Sequence, residues 1–408
     1  MAAGRRPGLL DDAILGAVPE VVYEPTSVSD AADALRECAA EGRSVVFLGG
    51  GTEIGIGAPP EALGAVLRTG KLSRVVEYAP ADQIVTVEAG ITLDALQERL
   101  RGQRQRLALD PPLGNRATLG GLIAANGFGP LRTRYGTSRD LIVGVTLVRA
   151  DGVVARGGGK VVKNVAGFDL PRLMVGSLGT LGLIATATFR LHPLPELVET
   201  IVITNLSTAQ VRRLVARIKE AQVEPAAIAA TGVGPFDLGV RFEGFGAAVI
   251  SQRDRLLRIA RELGVEGGLL DTAGERAFWQ RHDALRTAGT LRLKMTALPS
   301  QFEKVGEEAV GPLAAVVESA GFVGYPTLGF GFLSGTPRDR GAAAAIGAAR
   351  TALERLGGSL VIHAAPPEIR MQLDAWGTPP SAIALMRSLK ERLDPSRRLG
   401  PGRFVGGI

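Results

Sequence analysis

Apolar positions along this chain switch between two periods, and the switches mark its elements. Ala31, Leu35, Cys38 and Ala39 recur at helical spacing behind Ser27 and Ser29, either of which can cap. They predict a helix over 30–41 that Gly42 stops. Residues 44–48 read as a buried strand running into Gly49-Gly50-Gly51-Thr52. Strand 74–78, a turn at 80–82 and the alternating strand 84–89 follow. Thr92 caps a helix to about residue 100, with Asp94 near its positive end, and Thr118 caps a small-residue helix over 119–126. Strands 143–149 and 153–156 face each other across Asp151-Gly152, a hairpin signal. A short helix at 170–174 and a strand at 184–191 complete the first half.

Beyond Leu194-Pro195 the glycine loops largely cease. The order becomes strand, helix (208–221), two strands, helix (252–263), strand (290–296), helix (303–319), strands near 325–332, helix (341–356) and strand (359–364). That alternation predicts a mostly antiparallel sheet with helices on one face, so the fold class is α+β. A last helix at 380–393 leads into the tail 394–408. The expected organisation is a flexible arm over 1–19, a first domain over 20–195, an α+β cap domain over 196–380, and a tail over 381–408 that returns to the first domain. A Rossmann unit is excluded, because no G-x-G-x-x-G lies between a strand and a helix with an acid about twenty residues on.

Composition narrows the function. With 408 residues the chain needs two or three domains. Its 46% hydrophobic and 22% charged content suits a globular protein. No apolar run is long enough for a membrane span, and Arg5-Arg6 precedes no core of a signal peptide, which leaves a twin-arginine signal a poor second to a loose arm. The net charge of +6 comes without blocks of basic residues and with only 5% aromatics, which argues against nucleic acid and for a small anionic substrate or an acidic protein partner. One cysteine, Cys38, rules out an internal disulfide or an iron–sulfur cluster held by this chain, and a buried inert thiol is expected. A cytoplasmic location fits, with membrane association only indirect.

Three glycine clusters carry the chemistry: Gly49, Gly50 and Gly51; Gly120 and Gly121; and Gly176, Gly179 and Gly182. Successive glycine amides form the nest that phosphates prefer, Thr52 adds a hydroxyl, and the start of the 119–126 helix can oppose the same diphosphate. Glycines at 176, 179 and 182 let the backbone approach a flat cofactor. Together they point to a flavin nucleotide.

The ordered motifs are Gly49-Gly50-Gly51-Thr52, Ala117-Thr118-Leu119-Gly120-Gly121 through Asn126, Arg134-Tyr135-Gly136 through Asp140, and Gly176-Ser177-Leu178-Gly179-Thr180-Leu181-Gly182 through Ile184. This series resembles the FAD-binding domain of the vanillyl-alcohol-oxidase/p-cresol-methylhydroxylase superfamily over about residues 20–195. Lys160-Val161-Val162-Lys163-Asn164-Val165-Ala166-Gly167-Phe168-Asp169 and the ending Asp394-Pro395 through Pro401-Gly402-Arg403 are similar to one subfamily, the FAD-binding E subunits of bacterial glycolate oxidase (glycolate dehydrogenase) complexes. Gly400 stands where that ending usually has asparagine.

The resemblance implies a two-subdomain FAD-binding domain followed by the cap. It places FAD against Gly49, Gly50, Gly51, Thr52, Glu53, Ile54, Pro112, Thr118, Leu119, Gly120, Gly121, Asn126, Gly179, Thr180, Gly182 and Ile184. Lys163 and Asn164 either donate near the pyrimidine edge of the flavin or serve as a salt bridge and a turn. No histidine or cysteine occupies the positions used elsewhere for covalent attachment, so non-covalent FAD is implied. No metal site is expected. His363, Arg292 and Lys294 are the candidates for substrate chemistry; His192 is expected to be structural, His282 a surface or packing residue, and Trp376 a core or ring contact. Two readings follow. In one, the chain oxidises glycolate or a similar 2-hydroxy acid and passes electrons to an iron–sulfur partner. In the other, it is an FAD relay or assembly subunit beside a larger homologous flavin subunit. A stand-alone D-lactate-type dehydrogenase is a third option.

Overall fold

A computed structural model describes residues 4–159, 168–338 and 341–408. The chain folds as two compact units. Unit 1 comprises Met1–Phe128, Gly136–Pro193 and Thr378–Ile408; unit 2 comprises Gly129–Tyr135 and Leu194–Gly377.

Unit 1 contains two principal sheets. The first has the strand order Arg5–Pro7, Val21–Tyr23, Ala65–Arg68, Val45–Leu48, with the last three parallel and the first antiparallel. Helix Val28–Ala40 covers it. Ser27 caps that helix by accepting from the Asp30 amide, and Ala31, Ala34, Leu35 and Cys38 are buried with Tyr23 and Leu67. The second sheet is antiparallel, in the order Val75–Ala79, Ile84–Glu88, Leu183–Arg190, Ile142–Val148, Val154–Gly158. Its hairpin turns at Gly152, whose φ of +76° is the left-handed conformation that glycine permits. Helices Leu93–Arg101 and Leu119–Ala125, capped by Thr92 and Thr118, pack into its core.

The expected loose arm is corrected from residue 4 onward. Residues 5–7 form the edge strand, and Asp12, 1% exposed, accepts from Arg6 at 2.7 and 2.9 Å and from Arg68 at 2.9 Å. A fully buried carboxylate between two guanidiniums needs that geometry and enforces it. Sequence periodicity carries no trace of such a three-residue strand pinned by ion pairs.

Unit 2 is built on one antiparallel eight-stranded sheet. Its order is Gly267–Leu269, Leu197–Leu206, Phe236–Gly244, Ala227–Thr231, Val317–Tyr325, Phe330–Pro337, Leu291–Thr296, Ser359–Ala364. One face carries the core, with Ile201, Leu238, Val240, Leu293 and Leu333 under helices Thr208–Glu220, Gly246–Glu262 and Gly341–Arg355. The expectation of helices on one face alone needs revision, because Thr272–Thr287 lies on the other. A Cβ at Gly239 would come within 2.2 Å of the Phe278 ring and one at Gly321 within 2.6 Å of Leu285, while Trp279 donates to the Thr200 hydroxyl at 3.1 Å. These glycines leave the helix room to sit directly on the strands. The expected helix 303–319 ends earlier. It runs as Phe302–Val305, a π-helical turn Gly306–Val310 and Gly311–Val316, after which Val317 opens a strand. Trp376 packs against this core. Among the described residues no helix is long and apolar enough to cross a membrane.

Candidate functional site

Three segments of unit 1 converge on a cleft that opens to solvent. The end of strand Val45–Leu48 supplies Phe47, Leu48 and all of residues 49–54; helix Leu119–Ala125 supplies Gly120, Gly121, Ala124 and Ala125; and residues 178–184 supply Leu178, Gly179, Gly182, Leu183 and Ile184. Thr69, Thr118 and Arg403 complete the wall.

The glycines do different work. A Cβ at Gly49 would sit 2.2 Å from the Thr118 hydroxyl oxygen, and one at Gly50 would sit 1.7 Å from the Arg116 carbonyl. Those two are required by the protein's own packing, where the sequence alone pointed to the ligand. Gly51 differs: φ is +72°, and its side-chain position meets only Leu48, at 3.8 Å. The amides of Gly50, Gly51 and Gly179 donate to no acceptor among the described residues, which leaves donors beside an open space.

The second cluster is corrected as a phosphate donor. The Leu119 amide donates to Ile91 at 3.0 Å, Gly120 to Ala89 at 2.7 Å and Gly121 to the Thr118 hydroxyl at 3.4 Å. All three donors are spent inside the fold. Gly120 and Gly121 line the cleft by shape, and a Cβ at Gly120 would strike Ala89 at 2.7 Å.

Other expected contacts divide similarly. Leu119 is fully buried in the core and Thr180 donates its hydroxyl to Ser177 at 2.7 Å; neither lines the cleft, nor does Pro112. Asn126 also lies off the cleft wall. It ends its helix in the left-handed conformation (φ 49°), and its Oδ1 is buried without a hydrogen-bond partner among the described residues. Lys163 and Asn164 lie outside the described residues. Sequence reasoning missed Phe47, Leu178 and Arg403. Leu178 holds φ at +50°, strained backbone for a branched side chain, directly on the cleft wall. No local pattern marks such a residue. The closing Pro401-Gly402-Arg403 is the sequence signal for Arg403.

The candidates for substrate chemistry lie in unit 2. Lys294 pairs across the sheet with Phe332, and Arg292 with Ser334, so both cations share a face with Phe330, Phe332 and Tyr325. Arg132 sits 4.2 Å and Lys294 5.3 Å from the Phe330 ring centroid, and Arg286 lies 4.1 Å from that of Phe332. The His363 ring is 5.8 Å from Phe332. Arg132, Arg286 and the three aromatic residues were not foreseen, because nothing local in the sequence assigns them to one face of the sheet. His282 is completely buried. Its Nε2 meets the Tyr325 hydroxyl at 2.8 Å and its Nδ1 meets Asp283 at 2.9 Å, while Arg286 donates to the same hydroxyl at 3.1 Å. Burial lowers its pKa, so it packs as a neutral ring and is not on the surface. His192 pairs with Arg106 in a two-residue bridge of unit 1.

Residues 19–158 match the FAD binding domain family. Over those residues the chain is similar to an FAD-binding domain. The chain is 32% identical over 212 residues to glycolate oxidase subunit GlcD of Bacillus subtilis, covering 52% of this chain and 45% of that one. It is 33% identical over 213 residues to glycolate oxidase subunit GlcE of Escherichia coli, covering 51% and 55%. It is 38% identical over 175 residues to a D-lactate dehydrogenase of Archaeoglobus fulgidus, covering 42% and 39%. The matches span about half the length of these relatives or less. In fold, it is similar to an alkyldihydroxyacetonephosphate synthase (TM-score 0.74, 18% identity, 95% of this chain and 78% of the other). It is also similar to p-cresol methylhydroxylase (TM-score 0.73, 14% identity, 95% and 88%). The α+β architecture expected from the sequence is therefore that of the p-cresol methylhydroxylase type. FAD is its cofactor. The cleft fits a dinucleotide: unclaimed amides beside an open glycine suit a diphosphate, and Phe47, Leu178 and Ile184 give an apolar wall.

Proposed function

We propose that the cleft of unit 1 holds FAD non-covalently and that the chain serves in the oxidation of a small 2-hydroxy acid, glycolate first, as a subunit of a larger dehydrogenase. The observation that carries this is the set of spare amides at Gly50, Gly51 and Gly179 around an open cleft, within a region that matches the FAD binding domain family. The relatives named as glycolate oxidase subunits and a D-lactate dehydrogenase support the substrate class. Gly50, Gly51 and Thr52 would hold the diphosphate, Arg403 would add the cleft's positive charge, and Gly179 to Ile184 would run beside the cofactor. Bound FAD supplies a two-electron acceptor.

The chain's own residues would do the rest. Arg286, Lys294 and Arg132 lie on aromatic rings and Arg292 shares the strand face of Lys294, a cationic set suited to orient a carboxylate. Tyr325 and Phe332 fix the Arg286 guanidinium in place. His363 is half-buried on the same sheet and is the candidate to take a hydroxyl proton. Cys38 is packed in a core, so electrons would leave through a cysteine-bearing iron–sulfur partner.

A relay or assembly role beside a larger homologous flavin subunit is the second reading. What favours it is the burial of His282, which leaves His363 as the histidine available in unit 2. Stopped-flow mixing of the purified chain with glycolate or D-lactate separates the two. Bleaching of the flavin's visible band by the lone chain supports direct oxidation. Bleaching only with the partner subunits supports the relay, and no bleaching in either setting overturns the hydroxy-acid assignment.

A further inference from the structure

The last nineteen residues make contacts that the family match, ending at residue 158, does not account for. Lys390 is 3% exposed, and its ammonium donates to the carbonyls of Thr180 and Leu399, each at 2.8 Å, and to Asp394 at 2.7 Å. Asp394, fully buried, also accepts from the amides of Arg398 at 3.1 Å and Leu399 at 2.8 Å. The tail then adds to the free edge of strand Val45–Leu48: the Val45 amide donates to Arg398 at 2.7 Å and the Gly400 amide to Val45 at 2.8 Å. Gly400 has φ +55°, a conformation open to glycine and asparagine alike, which explains why glycine serves here. Finally, Arg403, 3% exposed and on the cleft wall, donates to the carbonyls of Ile54 at 2.7 Å and Ile56 at 2.9 Å.

These partners have one thing in common. Val45 starts the strand that delivers the glycine turn, Ile54 and Ile56 follow that turn, and Thr180 belongs to the opposing glycine loop. Two walls of the cleft are thus tied to one tail by buried, charge-assisted hydrogen bonds, the strong class. We propose that the tail is the latch of the flavin site, with Lys390 and Arg403 as positioning residues that hold the walls at the spacing FAD needs. Because whatever favours the closed walls favours both, FAD and the seated tail stabilise each other reciprocally. This rests on the reading that FAD occupies the cleft.

The test is titration of the full-length apoprotein with FAD, read by quenching of flavin fluorescence, for the parent, Arg403→Met, Arg403→Lys and Lys390→Met. Loss of charged hydrogen bonds should weaken FAD binding roughly 10- to 100-fold in both methionine variants, with partial rescue by lysine at 403. FAD affinities within twofold of the parent would overturn the latch. Ala125→Phe, which fills the cleft, is the control for its premise: if that variant binds FAD like the parent, the site itself is misplaced. A second readout needs no variant. Amide exchange over residues 398–403 of the parent should slow when FAD is added, while strand Phe330–Pro337 of unit 2 stays unchanged. Equal response of the two segments, or none, would also overturn the proposal.

Discussion

Asp12 shows how one residue can decide the fate of a segment. Its carboxylate is buried, and the hydrogen bonds from Arg6 hold its pKa well below the ordinary value of 3.8. A depressed folded-state pKa contributes stability that is present above the unfolded value and lost as pH falls through the folded one. The N-terminal strand should therefore hold at neutral pH and lose protection in hydrogen exchange as the pH drops below about 4. Asp12→Asn should cost about 1–3 kcal/mol in urea unfolding at pH 7 and remove that acid dependence. An unchanged profile would count against the ion-paired anchor. Cys38 gives a second prediction at this scale. Burial pushes its thiol up to about 11, so Ellman's reagent at pH 8 should label it only after unfolding. Prompt labelling of the native chain would contradict its place in the core. In unit 2, Lys294→Met should raise KM for a hydroxy-acid substrate about tenfold or more with a smaller change in kcat, if the cation orients the carboxylate. An unaltered KM would remove it from the site.

At the scale of elements, the sequence was most legible where side-chain period and caps agree. Thr92 and Thr118 cap the helices they were expected to cap, Ser27 is the one of the two candidate serines that caps the first helix, and Asp151-Gly152 turns the hairpin. Less legible was anything set by contacts between distant segments. The triple glycine drew attention as a ligand cradle, yet Gly49 and Gly50 are held to glycine by Thr118 and Arg116 pressing against them. Local sequence cannot tell a glycine that makes room for a ligand from one that makes room for the protein. Helix Thr272–Thr287 falls between the expected helix 252–263 and strand 290–296, and its choice of sheet face depends on Gly239 and Gly321, far from it in the chain. This distinction can be measured. Gly50→Ala should destabilise unit 1 by about 1–3 kcal/mol even in the apoprotein, because the added methyl has no space beside the Arg116 carbonyl. Equal stability with only FAD affinity reduced would return Gly50 to the role first read from sequence.

At the scale of the whole molecule, the flavin cleft and the face proposed for the substrate fall in different units. The cleft is lined entirely by unit 1, whereas the cationic aromatic face belongs entirely to unit 2. Unit 1 is also discontinuous, taking its last segment from the chain's end, so its integrity depends on residues written after all of unit 2. The order of motifs conveyed the cofactor. It did not convey that Arg403 would return to the wall beside Gly51, since nothing local links positions some 350 residues apart. Whether the cleft takes one FAD without a covalent bond is read from the visible spectrum of the purified chain before and after acid precipitation. The predicted result is a flavin spectrum equivalent to one FAD per chain, with all of the colour in the acid supernatant. A colourless protein that takes up no added FAD, or a yellow washed pellet, would contradict it.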